Sequence, residues 1–117
     1  MIKVSALINL LKKNKCNFYT GVPDSVLKEL SSYLQNTNKK KHIIATNEGA
    51  AVSIGIGQYL STKKIPAIYM QNSGLSNALN PLISIAHEKV YSIPLILIIG
   101  WRGSPRVKDE PQHNVKG

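Results

Sequence analysis

The stretch Ile43-Ile44-Ala45-Thr46-Asn47-Glu48-Gly49-Ala50-Ala51 passes from an apolar extended run into a helical pattern of small residues, with one carboxylate at the turn. β-Branched residues suit a strand, and Gly and Ala let a helix lie close on a sheet. The stretch therefore reads as a strand feeding a helix through a short polar loop. Working outward, the same unit recurs about every 25 residues along the chain. Val4, Leu7, Ile8, Leu10 and Leu11 form a helical stripe, and Phe18-Tyr19-Thr20 reads as a strand ending at Gly21. Val26, Leu27, Leu30 and Leu34 repeat the helical period before the strand Ile43 to Thr46. A small-residue helix from about Glu48 to Leu60 follows, then strand Ile65 to Met70, helix Asn77 to His87 and strand Ile93 to Ile99, expected to be the most buried. Alternating helices and strands of this kind predict an α/β fold: a parallel sheet with helices on both faces. The segment from Trp101 to Gly117 is polar and without period.

Composition bounds the function. A chain of 117 residues, 43% hydrophobic and 18% charged, is expected to form one domain over residues 1–117 with a real core. The apolar run Ile93 to Ile99 is far shorter than the roughly 20 residues that span a bilayer, and no signal-peptide layout opens the chain. We therefore expect a cytoplasmic protein without a membrane partner. The one cysteine, Cys16, has no disulfide or metal partner in sequence and reads as a small core side chain. A formal charge of +9 invites a nucleic-acid reading. Lys12, Lys13 and Lys15 end a helix, however, and Lys39-Lys40-Lys41 sit in a solvated loop, with no aromatic residues interleaved. No nucleic-acid partner is expected, and an anionic small substrate fits the charge equally well.

In parallel sheets ligands collect where strands end and helices begin. Four loops should share that rim: Gly21 to Ser25, Thr46 to Gly49, Gln71 to Ser76 and Gly100 to Gly103. They carry two carboxylates, amides, hydroxyls and an arginine, next to helix N-termini that attract anions. Each residue also has an ordinary reading. Asp24, Ser25, Asn72 and Ser73 are preferred helix caps, and Glu48 suits a helix first turn. Spacing alone leaves cap and site open.

The segments FYTGVPDSVLK, IIATNEGAAVSIGIGQYL, IYMQNSGLSNALNPL, YSIPLILIIGWRG and DEPQH resemble the pyrimidine-binding domain of thiamine-diphosphate-dependent 2-oxo acid decarboxylases. Phosphonopyruvate decarboxylases and their sulfopyruvate relatives are the nearest in motif, and the likeness runs through nearly the whole chain. It implies thiamine diphosphate as cofactor and places Glu48 at the ring nitrogen of its aminopyrimidine. A carboxyl in an apolar cleft holds a proton more readily, as that contact requires. The resemblance further assigns Gly49, Asn72, Ser73 and Gly74 to cofactor binding, and Asp24, Ser25, Arg102, Gln112 and His113 to the substrate side. Asp24 and His113 join Glu48 as catalytic candidates. His42 and His87 match no family site.

The implied substrate is an anionic 2-oxo acid, 3-phosphonopyruvate giving phosphonoacetaldehyde and carbon dioxide, with sulfopyruvate as the alternative. The family holds the diphosphate and Mg²⁺ with a Gly-Asp-Gly segment followed further on by Asn, a pattern this sequence lacks. No metal ligand is thus expected here, and a diphosphate-binding domain or subunit is the expected partner in a homo- or hetero-oligomer. On this reading the chain is a C-terminally incomplete pyrimidine domain whose Gly49 to Ile56 face packs against another chain. A catalytically silent assembly module is the competing possibility, and the retained Glu48 argues against it.

Overall fold

The computed structural model describes residues 3–106. In chain order these form α1 (Val4–Lys13), β1 (Tyr19–Gly21), α2 (Lys28–Thr37), a 3-10 turn at Lys39–Lys41, β2 (His42–Ile44) and α3 (Glu48–Thr62). Then come β3 (Ala67–Gln71), a 3-10 turn at Asn72–Gly74, α4 (Leu75–Pro81), a π turn at Leu82–Ala86, and β4 (Ile96–Gly100).

Local chemistry explains the boundaries. α1 buries Ile8 and Leu11, and its last turn carries Lys12 and Lys13 against the negative end of the dipole. α3 starts where the Asn47 side chain accepts from the Ala50 N–H at 2.8 Å, and it closes on Lys63 in the left-handed region at φ 60°. α4 holds Pro81, which has no N–H to return to the Asn77 carbonyl four residues back. The coil widens into the π turn directly after it, so the expected helix Asn77 to His87 begins two residues earlier, at Leu75, and changes pitch at Pro81.

All strand pairs are parallel, in the order β2-β1-β3-β4. α1 and α2 cover one face, where Ile8, Leu11, Leu30 and Leu34 pack with Cys16, Tyr19 and Tyr69. α3 and α4 cover the other, where Val52, Ile56 and Ala78 meet Ile68 and Met70. Successive β3 residues alternate between these two cores, as a strand buried on both sides must. Burial pushes the Cys16 thiol up to about 11, consistent with packing and not nucleophilic chemistry.

Two expectations are corrected. The strand placed at Ile93 to Ile99 begins at Ile96, and it is not the most buried. It lies at the sheet edge with Leu97 37% exposed, whereas Ala67 through Met70 of β3 are fully buried. Apolar content cannot report how many neighbours a strand has, and among the described residues β4 has one. Of the α3 stretch Gly49 to Ile56, expected to face another chain, Ala51, Val52, Gly55 and Ile56 are instead buried in this chain's own core, while Gly49, Ala50, Ser53 and Ile54 keep some exposure. A Cβ on Gly55 would stand 2.7 Å from Ile68 Cδ1, so the small residues let α3 lie directly on β3. No helix among the described residues is long and apolar enough to cross a membrane.

Candidate functional site

The chain runs from β1 outward to β2, then crosses back over β1 to β3 and on to β4. The direction reverses between β1 and β3, and there the helices that follow these strands depart to opposite faces, α2 to one and α4 to the other. Such a switch point leaves a crevice at the carboxyl ends of the strands. Here it lies beyond Gly21 and Gln71, strands whose Val22 N–H still donates to the Tyr69 carbonyl at 3.1 Å. β1 and β3 approach closely because residue 21 is glycine; a Cβ there would stand 2.6 Å from Tyr69 Cγ. The Tyr69 hydroxyl meets His42 Nε2 at 2.7 Å, which ties β3 to β2. Burial lowers the His42 pKa below its ordinary value and pushes Tyr69 up to about 12.

Glu48 opens α3 at this crevice. Because α3 crosses back over β1 to pack against β3 and α4, its first residue meets the β3 loop although β2 and β3 are not neighbours. The Glu48 side chain lies over Gly74, where a Cβ would come within 2.5 Å of Glu48 Cδ and Cγ. Its Oε2 accepts from Asn77 Nδ2 at 3.1 Å. Beside it, a Cβ on Gly49 would stand 2.7 Å from the Asn77 carbonyl oxygen. Gly49, Asn77, Ser53, Asn80 and Pro81 line an open groove of about 400 Å³ between α3 and α4.

Of the other sequence-assigned residues, Asp24 turns one oxygen to its own loop, where Oδ1 accepts from the Leu27 N–H at 2.8 Å and caps the turn into α2. Its Oδ2 is buried without a hydrogen-bond partner among the described residues. Cap and free acceptor thus coexist in one carboxylate. Ser25 is exposed. Asn72 brackets the backbone of Arg102, its Nδ2 donating to the Arg102 carbonyl at 3.0 Å and its Oδ1 accepting from the Arg102 N–H at 3.1 Å. That amide pair joins the β3 and β4 loops and brings Arg102 to the rim. Ser73 accepts from Gln71 Nε2 within the β3 loop. Gln112 and His113 lie outside the described residues. Among the described residues no three His, Cys, Asp or Glu side chains form a metal-binding group.

Sequence reasoning missed Asn77, which it placed only as a helix start. The available signal was its position three residues after Gly74, a spacing that puts both on one side of a helical first turn.

Residues 3–117 match the family described as thiamine pyrophosphate enzyme, N-terminal TPP binding domain. The chain belongs to this family. It is 37% identical over 117 residues to the phosphonopyruvate decarboxylase of Streptomyces hygroscopicus, covering 100% of this chain and 28% of that protein. It is 40% identical over 98 residues to the sulfopyruvate decarboxylase subunit alpha of Methanocaldococcus jannaschii, covering 84% of this chain and 56% of that subunit. Benzoylformate decarboxylase from Polynucleobacter necessarius shares the fold, with a TM-score of 0.70 and 24% identity over 95% of this chain and 20% of that one. The four-stranded parallel sheet with helices on both faces is thus the family's fold.

Proposed function

We propose that this chain supplies the pyrimidine-binding part of a thiamine-diphosphate-dependent decarboxylase that converts 3-phosphonopyruvate to phosphonoacetaldehyde and carbon dioxide. The observation that carries the reading is the placement of Glu48. It is a carboxylate at the switch-point crevice, laid over a glycine in a chain similar to phosphonopyruvate and sulfopyruvate decarboxylases. The residues present fit the cofactor. Gly74 lets the Glu48 side chain lie close on the β3 loop at the crevice, Gly49 lets the Asn77 carbonyl approach beside it, and Asp24 Oδ2 is a buried acceptor without a partner among the described residues.

When bound, thiamine diphosphate supplies the carbanion chemistry of decarboxylation. Glu48 holds a proton at the ring nitrogen of the aminopyrimidine. Gly49, Asn72, Ser73 and Gly74 shape the surface against that ring. Asp24 and His113 move protons on the substrate side, and histidine suits this because its ordinary pKa lies near neutrality. Arg102 pairs with the phosphonate through its planar fork, with Ser25 and Gln112 nearby. Mg²⁺ and the diphosphate are held by a partner domain or subunit in a cytoplasmic oligomer. The name "subunit alpha" of the M. jannaschii relative supports such a division. The 40% identity to that relative favours sulfopyruvate as the second substrate to assay, at equal concentration beside phosphonopyruvate.

The deciding variant is Glu48→Gln, tested in the enzyme assembled from this chain and its diphosphate-binding partner. It keeps the shape and removes the exchangeable proton. Turnover should fall about a hundredfold or more, roughly 3 kcal/mol of barrier, while the melting temperature barely moves. Exchange of the cofactor's C2 proton at the unmutated rate would end the assignment.

A further inference from the structure

We propose that Asn77 is a positioning residue that fixes the Glu48 carboxylate; the inference rests on the catalytic reading of Glu48 above. Two contacts from one helical turn converge on that side chain, and a third meets the residue next to it. Gly74 is the floor beneath its Cγ and Cδ, the Asn77 carbonyl abuts Gly49 at its base, and Asn77 Nδ2 donates to Oε2 at 3.1 Å. Gly74 and Asn77 are three residues apart, so the start of α4 presents floor and donor together.

The consequence is directional. A glutamate has three side-chain torsions, and an exposed one samples several rotamers. With Oε2 engaged by Asn77 and the stem close on Gly74, rotation about the last torsions is restricted and one direction of the remaining lone pairs is favoured. A group that must meet a single ring nitrogen gains most from that restriction, because misplacement by about 1 Å costs on the order of a hundredfold in rate. The backbone reinforces it: Pro81 offers no N–H to the Asn77 carbonyl, which instead faces the bare Cα of Gly49. The fit between α3 and α4 thereby sets where the Asn77 amide stands. Only a glycine at 49 tolerates that approach.

The test uses the assembled enzyme with Asn77→Ala, Asn77→Asp and Asn77→Gln, each alone and with Glu48→Gln. Asn77→Ala should slow exchange of the cofactor C2 proton and kcat about tenfold with KM within twofold, and Asn77→Asp, which opposes two carboxylates, should slow them further. Asn77→Gln keeps the donor on a longer arm and should recover part of the loss. In the Glu48→Gln background Asn77→Ala should add less than twofold, since both act through one carboxylate. A readout independent of turnover comes from labelling only this chain's glutamates with ¹³C in the cofactor-free assembly. Glu48 should show a single rotamer with Asn77 present and averaged couplings in Asn77→Ala. Unchanged couplings and exchange in Asn77→Ala, with Glu48→Gln still impaired, would overturn the positioning role alone. Normal exchange in Glu48→Gln would overturn the reading of Glu48 itself.

Discussion

Gly74→Ala puts one methyl group between the β3 loop and Glu48, and the structure sets the size of its effect. Gly74 has φ −79° and ψ −9°, a conformation open to alanine, so the substitution carries no backbone strain. Replacing glycine at a compatible position lowers the entropy of the unfolded chain, a gain of about 0.4–1 kcal/mol. Against it stands the new Cβ, 2.5 Å from Glu48 Cδ and Cγ, where ordinary carbon contacts are about 3.5 Å. The glutamate must retreat by about 1 Å, which also breaks its hydrogen bond to Asn77, a loss of about 1 kcal/mol. The two stability effects nearly cancel, and the melting temperature should stay within a few degrees. Activity has no such cancellation. A displacement of that size predicts a loss of about a hundredfold in turnover, near 2.7 kcal/mol. The assay is steady-state decarboxylation in the assembled enzyme beside a thermal melt of the same sample. Turnover within twofold of the parent at an unchanged melting temperature would show that Glu48 and Gly74 do not set each other's position in the working enzyme.

His42 gives a pH dependence with a definite sign. Its pKa is lowered in the fold by burial, so below about pH 6.5 the unfolded chain binds the extra proton first. Stability should be full above that pH and decline as pH falls toward the folded-state value, with the decline lost in His42→Asn; chemical unfolding across pH 5 to 8 measures it. Asp24 separates its two roles by substitution. Asp24→Asn keeps an oxygen for the Leu27 N–H and should leave stability within about 0.5 kcal/mol, whereas Asp24→Ala should cost about 1 kcal/mol. Both should reduce decarboxylation if the free Oδ2 serves the substrate, and normal turnover in Asp24→Asn would leave the residue as a cap only.

The class of fold was legible in the order of the elements. Strand and helix periods alternate, polar loops follow each strand, and a parallel sheet with helices on both faces is the arrangement that buries such a pattern. The rim residues were legible for the same reason, because loops after parallel strands share one edge whatever the strand order. Strand order itself was not. Nothing local to Ile96–Gly100 states that β4 pairs only with β3 among the described residues, so its apolar run is expected to be the most buried when β3 holds that place. The partner of Glu48 was equally hidden. Asn77 lies 29 positions away, and it becomes a neighbour only because α3 crosses back over β1 to lie against α4. Periodicity reports which face of an element is buried. Which elements then meet depends on crossover direction and the close approaches glycine permits at Gly21, Gly49 and Gly74, and these are settled by packing across the whole sheet.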